Sequence, residues 1–293
     1  MSGGAQLRPS EALWMISPVW LLLAAVVLLP SAYILWLSFE ASSFGQAARF
    51  VGLDNYRQVL GDAYFWRALR NTLVVVVVVV HVEVAAGLAM ALLFASGLRW
   101  RPFWLAVVLA PYAVSEVSAV IMWRFLMEPD VGLITRLLAA IGLPPLDWAL
   151  SPWAGLALVC LISIWLTLPF TFVLLYAARL ALPADVYEAA RVDGAGPWQQ
   201  FRAITWPLLR PAILVAMLFR YIIAFRLFSE VWLTTGGGPA RTTEVVALYL
   251  YVEGFRYNAF GVASATGWLM VVLAFAFALL YLRRFYAASF RTA

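Results

Sequence analysis

The chain has 293 residues, 65% of them hydrophobic and only 12% charged, with mean hydropathy +0.91 and net charge +5. A soluble domain runs nearer half apolar and about a quarter charged, so this chain cannot cover its surface with polar groups in water, and the bilayer must act as its solvent. All the positive charge is arginine, scattered among apolar runs without forming a stripe, which argues against nucleic acid and for basic loops lying against anionic lipid. In lipid every backbone N–H and C=O needs an internal partner, leaving helices or a closed barrel. The apolar runs are continuous rather than alternating, which excludes the barrel. A single Cys160 and a single His81 exclude an intrachain disulfide and argue against metal ligation or a histidine-based triad.

Six transmembrane helices are expected. The first, residues 13–39, follows a short arm with Arg8 and holds Pro18 and Pro30; it is too long for a signal-peptide core and is read as a retained anchor. A polar stretch, 40–70, is expected to form a loop with a short surface helix. Span two, 71–96, contains the valine run Val74–Val80, and a tight turn with Arg99 and Arg101 leads to span three, 102–126. After a second polar loop comes span four, 153–180, then a connection at 181–210 and span five, 211–233. Gly236-Gly237-Gly238-Pro239 marks a turn in the next loop, span six covers 261–282, and a tail with Arg283, Arg284 and Arg291 ends the chain. At ~1.5 Å rise per residue each span reaches ~30–40 Å, enough to cross with tilt. The densest arginine clusters beside span ends lie on the side of the termini, which makes both termini cytoplasmic by the positive-inside rule. No internal repeat is evident, and residues 1–293 are read as a single transmembrane domain.

The 181–210 connection is the most specific segment. Pro183 suits the first turn of a helix, and Asp185 and Glu188 near that end favour its dipole. Gly194 is placed to end the helix in a left-handed turn, and Pro197 starts a second short helix, Trp198–Trp206, stopped by Pro207. The loop is thus a stiff helix–turn–helix, and the small Ala189 and Ala190 allow close approach by a partner surface.

Glu188-Ala189-Ala190, Gly194, Ile204 and Pro207 stand at the spacing EAA-x3-G-x9-I-x-x-P. This resembles the EAA loop of permease subunits of binding-protein-dependent ABC importers, and Asp193-Gly194-Ala195 resembles the carbohydrate-uptake branch, which includes maltose-type and glycerol-3-phosphate-type systems. Trp206 stands where the family more often has Leu. Phe50-Val51-Gly52-Leu53-Asp54-Asn55-Tyr56, Leu233-Thr234-Thr235-Gly236-Gly237-Gly238-Pro239 and Ala263-Ser264-Ala265 resemble the same branch, so the similarity extends over nearly the whole chain.

The resemblance implies an all-α type I ABC importer permease fold in a bacterial inner membrane, with a cytoplasmic coupling helix between spans four and five. It implies two copies of a cytoplasmic ATPase that bind ATP and Mg²⁺, a second, similar permease, and an external solute-binding protein. The function implied is uptake of a sugar or sugar-like solute (oligosaccharide, glycoside, polyol or glycerol-phosphate-like) by alternating access. Glu188, Ala189, Ala190, Asp193, Gly194, Ile204 and Pro207 would form the coupling loop. This chain carries no phosphate-binding Gly-x4-Gly-Lys-Ser/Thr motif, so no cofactor is expected on it and ATP and Mg²⁺ are assigned to the partner; the chain itself is not read as an enzyme.

Ionisable residues within spans are functional candidates because each is costly in hydrocarbon. Here they are His81, Glu83, Glu116, Arg220, Arg226 and Glu230. Arg226 and Glu230, four apart, are expected on one helical face and able to pair, whereas Arg220 and Arg226 should point to different faces, at most one toward a central pathway. Tyr112, Ser115, Glu116 and Ser118 form a polar patch after Pro111, and Trp165, Thr167 and Tyr221 offer a sugar-stacking surface. The substrate-pathway set is therefore Tyr112, Ser115, Glu116, Trp165, Thr167, Arg220, Tyr221, Arg226 and Glu230; His81 is read as interhelical packing. The alternative class, an ion-gradient-driven secondary transporter or channel, would be expected to show inverted repeats and broken helices with midplane carboxylates.

Overall fold

The computed structural model describes residues 9–281 and 283. In chain order the elements are α1 (Pro9–Leu23), a π-helical turn Ala24–Leu28, α2 (Leu29–Leu37), β1 (Glu40–Ala41), β2 (Arg49–Phe50), α3 (Asp54–Gly61) and α4 (Ala63–Ala95). Next come α5 (Arg101–Leu109), a 3-10 turn Ala110–Ala113, α6 (Glu116–Leu126), α7 (Leu133–Ala140), α8 (Pro152–Leu180), α9 (Ala184–Val192) and α10 (Pro197–Gln200). A π-helical turn Phe201–Thr205 leads into α11 (Trp206–Ala224), followed by α12 (Ser229–Thr234), α13 (Val246–Tyr251), a π-helical turn Val252–Arg256 and α14 (Phe260–Tyr281). Among the described residues, five helical stretches are long and apolar enough to cross a membrane; α5 and α6 pass that test only together, across a bend of 103°. Arg8, Arg284 and Arg291, part of the basis for the orientation above, lie outside the described residues.

The described chain falls into two compact units, residues up to Asp62 with Leu250–Leu269, and Ala63–Tyr249 with the residues from Met270 on. In the first unit, α1 runs through its π turn into α2, and the apolar stretch Met15–Leu37 has no buried residue. The Leu29 N–H bonds Ala24 O, an i→i+5 step just before Pro30 that widens the helix where the proline ring would crowd it. β1 and β2 pair antiparallel, and buried Asn55 pins them: its Nδ2 donates to Ser38 O at 2.8 Å and Glu40 O at 2.9 Å.

The second unit is organised by α4 and α8. Val76, Val80, Val84 and Phe94 of α4 pack with Phe172, Leu175 and Tyr176 of α8, and α11 closes the cluster with Leu209, Ile213 and Ala216. Gly87 sits where α4 meets α8; a Cβ there would lie 3.0 Å from Thr171 Cγ2 and 3.3 Å from Phe172 N.

Span four matches its expected range to within one residue, and span six does so at its start, its expected end Leu282 lying outside the described residues; three others are corrected. Span two begins at Ala63, eight residues early, because Asn71 and Thr72 belong to the helix rather than to its approach. Asn71 Nδ2 donates to Thr242 O and Glu244 O at 2.8 and 2.9 Å, and Thr72 Oγ1 accepts from Val246 N, so these buried polar groups are satisfied by the 242–246 segment. Span three is not one helix. Pro111 has no N–H to continue the ladder, Val114 is extended, and Ser115 starts α6 afresh by accepting a hydrogen bond from Ser118 N.

Span five begins earlier and ends earlier than expected. Pro207 does not stop the preceding helix: Trp206 N bonds Phe201 O across the π turn, and Pro197–Ala224 reads as one 28-residue helical stretch. The expected helix Trp198–Trp206 is therefore the start of this stretch. At the other end Arg226 N and Leu227 N bond Ile223 O and Ala224 O, tightening the last turn, and the chain restarts only at α12.

Candidate functional site

Two places hold the residues singled out from the sequence, both within the second unit. The first is a cavity of about 470 Å³. Pro111, Tyr112, Val114 and Glu116 line it from the broken α5–α6 segment, Ser163, Leu166 and Thr167 from α8, Arg220, Ile223 and Ala224 from α11, Arg226, Leu227 and Phe228 from the break after α11, and Ser229 and Glu230 from the start of α12. The helix interruptions at Pro111–Ser115 and Phe225–Phe228 thus turn polar side chains and backbone into one space, the setting in which irregular backbone is tolerated at membrane depth.

Behind this wall lies a buried ion pair. Arg220 Nε donates to Glu83 Oε2 at 2.7 Å, with the two side chains only 2% and 0% exposed. Thr171 Oγ1 donates to Glu83 Oε1, and Thr167 Oγ1, 3.0 Å from Glu83 Oε2, accepts from Arg220 at 2.8 Å. One carboxylate on α4, two hydroxyls on α8 and one guanidinium on α11 therefore hold three helices in register, each charge satisfied as burial demands. Nearer the cavity, the buried Glu230 carboxyl neighbours the side chains of Glu116 and Ser163, all three lining the same space.

The second place is the connection from α8 to α11. α9 ends in a Schellman motif: Ala195 N bonds Ala190 O at 2.8 Å, Gly194 N bonds Arg191 O at 3.1 Å, and Gly194 takes φ +78°. Gln199 Oε1 accepts from Gly196 N and Gln200 Nε2 donates to Ala195 O, both at 2.8 Å, so α10 is fixed to the turn. Buried Tyr187 anchors the loop beneath: its hydroxyl meets Thr205 Oγ1 at 3.0 Å, and the Arg179 guanidinium lies 4.2 Å from its ring centre. The outer face is bare. Glu188, Ala189, Asp193 and Gly194 are exposed, and Val192 and Trp198 are 88% and 71% exposed.

A family profile described as the binding-protein-dependent transport system inner membrane component matches residues 83–289. The chain belongs to this family. Among curated relatives, the permease is 33% identical to the trehalose/maltose transport system permease protein MalF of Thermococcus litoralis, covering 92% of this chain and 91% of that one. It is 32% identical to the sulfoquinovosyl glycerol transport system permease protein SmoG of Agrobacterium fabrum, over 93% and 89% of the two chains. Its fold matches a chain in the crystal structure of a bacterial alginate ABC transporter with TM-score 0.82, at 22% identity and over 93% of both chains. The permease is a multi-pass membrane protein with the type I ABC permease fold.

Of the nine residues proposed for the substrate pathway, the cavity gathers Tyr112, Glu116, Thr167, Arg220, Arg226 and Glu230. Three lie elsewhere. Ser115 caps α6, Trp165 meets Trp123 edge-on at 5.9 Å between ring centres, and buried Tyr221 packs against Phe277 and Tyr281. The aromatic side chains lining the cavity are Tyr112, 63% exposed, and Phe228, rather than Trp165 or Tyr221.

The expected Arg226–Glu230 pair is absent among the described residues. The break after Ala224 removes the common helical face, leaving Arg226 exposed and Glu230 buried. For the same reason Arg220 and Arg226 both line the cavity, contrary to the expectation that at most one would. The pathway set omitted Glu83, Ser163 and Ser229; Glu83 had a signal, as a charge in an apolar run, but its partner lies 137 residues away. His81 is exposed on α4 and reaches α11 at one point, with Nδ1 2.9 Å from Val77 O of its own helix and 3.4 Å from the Tyr221 hydroxyl.

Proposed function

We propose that this permease forms one half of the membrane pathway of an ATP-driven importer for a sugar or sugar-like solute, and that the cavity between α6, α8 and α11 is its share of that pathway. The observation that carries this reading is the near full-length likeness to the trehalose/maltose permease, which leaves no large segment of either chain unmatched. An external binding protein delivers the solute. A second, similar permease completes the pathway, and two cytoplasmic ATPase subunits bind the ATP and Mg²⁺. The chain crosses six times, counting α5 and α6 as one broken span, with both termini in the cytoplasm.

In this reading α9 is the coupling helix, with Glu188, Ala189, Ala190, Asp193 and Gly194 offered to the ATPase and Ile204 and Pro207 at the root of the lever. Its exposed small residues suit a docked surface, and its anchoring suits force transmission. Tyr187 ties α9 to Thr205 and to Arg179 at the end of α8, so a push on α9 reaches α8 and α11 together. From Pro197 to Arg220 the helical stretch spans ~35 Å at ~1.5 Å per residue. α8 and α11 carry Thr167 and Arg220 at the cavity wall, so movement of the loop changes the wall. Coupling requires only that ATP and solute favour different arrangements of this lever.

The test is the Glu188→Lys permease in the assembled complex. It should insert and assemble while losing substrate-driven ATP hydrolysis. Normal stimulation of hydrolysis by that complex would count heavily against the role of α9.

A further inference from the structure

We infer that the solute accepted by the cavity is uncharged and hydroxyl-rich, and not a sugar phosphate, sulfonate or uronate; this rests on the reading of the cavity as a sugar pathway. Two arginines on the wall suggest an anion site at first sight, and the relatives do not decide the matter, since one is named for trehalose and maltose and another for a sulfonated glycoside. The charges that this chain contributes to the wall point to the neutral solute.

Arg220 is already matched. Its Nε lies 2.7 Å from a carboxylate that is itself fully buried, so an arriving anion would have to compete with Glu83 for the same guanidinium. Arg226 is exposed and joins no ion pair among the described residues, which leaves one unmatched cation on the wall. Facing the same space are two neighbouring carboxyl groups, Glu116 and Glu230. With even one of them ionised, the balance is zero or negative. An anion entering here would give up its water for a wall whose Arg226 charge is already offset by carboxyl charge, a poor exchange for burying a charged group.

A neutral polyol meets the opposite situation. Glu116 and Glu230 accept hydrogen bonds from hydroxyl groups, Arg226 donates them, and Ser163 and Ser229 do both. Tyr112 adds a flat exposed ring against which an apolar sugar face can lie.

The experiment reads the cavity potential directly in the assembled complex. Ser229→Cys places a thiol on the wall, and the parent complex, whose chain has Cys160 buried, supplies the background. The thiol is modified with a cationic trimethylammonium and an anionic sulfonate methanethiosulfonate reagent, each rate divided by its rate with a free thiol. The cationic reagent should react at least as fast as the anionic one. Adding Glu116→Gln and Glu230→Gln, which leaves Arg226 alone, should shift the ratio about tenfold toward the anion. A preference for the anionic reagent with both carboxyls present, or a ratio unmoved by the glutamines, would overturn the inference. If Ser229→Cys does not assemble, Ile223→Cys on the same wall gives the same reading. The pathway reading fails separately, by the absence of sugar uptake from a complex whose labelling ratio holds.

Discussion

Removing Arg220 tests whether the buried ion pair holds the helices around the cavity. Arg220→Met keeps most of the side-chain volume and deletes the guanidinium, and with it the 2.7 Å bond to Glu83 and the 2.8 Å bond to Thr167. Glu83, fully buried, is left with only the Thr167 and Thr171 hydroxyls near its charge. Breaking a buried pair from one side costs about 3–5 kcal/mol. For a chain of this size that corresponds to a fall of about 6–10 °C in apparent melting temperature.

The assay is thermal unfolding of the purified permease complex in detergent at a fixed heating rate, followed by tryptophan fluorescence and aggregation. Two controls make the result specific. Arg226→Met, exposed and outside any ion pair among the described residues, should shift melting by no more than about 1 °C. The double variant Glu83→Gln/Arg220→Met, which removes the stranded carboxylate as well, should recover about half of the loss or more. An Arg220→Met complex that melts with the parent, or a double variant no better than the single, would refute the reasoning.

Further outcomes follow from the two glycines that the fold requires. Gly194 takes φ +78°, and a Cβ at that position would meet nothing within 4 Å, so a substitution there meets backbone strain alone. Gly194→Val should lose about 1–2 kcal/mol of loop stability and most substrate-driven ATP hydrolysis, while Gly194→Asn, which tolerates the left-handed region, should retain more activity. Gly87 is the reverse case, with ordinary backbone and no room. Gly87→Leu should destabilise by about 1–3 kcal/mol through overpacking against Thr171 and Phe172, with Gly87→Ala milder, both read by thermal unfolding.

Much of the fold was legible because hydrocarbon imposes few options. Residues 152–180 and 260–281 are uninterrupted apolar runs with clear ends, and the helices there match the runs. The Schellman turn was legible as well, since Gly194 between two short helical patterns has few other uses. Misreadings arose where a proline or a polar pair had two physical outcomes. Pro207 resembles a helix stop, but the π turn at Phe201–Thr205 makes room for it and the helix runs on. Pro111 falls inside a stretch read as one unbroken span, but Ser115 caps a new helix and the segment bends by 103°.

The cavity was legible as an inventory but not as an arrangement. Tyr112, Glu116, Arg220 and Glu230 stand out as polar groups in apolar runs, yet the break at Phe225–Phe228, which decides that Arg226 and Glu230 do not share a face, carries no proline or glycine to announce it. The pairing of Glu83 with Arg220 depends on the packing of α4 against α11, which no local pattern encodes.

The central claim, a sugar pathway driven by a partner ATPase, is tested most directly by solute uptake into proteoliposomes holding the complete complex. Radiolabelled sugar carried by the external binding protein should accumulate only when ATP and Mg²⁺ are on the ATPase side, and accumulation should survive ionophores that collapse proton and sodium gradients. Accumulation without ATP that disappears when an ion gradient is collapsed would contradict the account and return the chain to the secondary transporters.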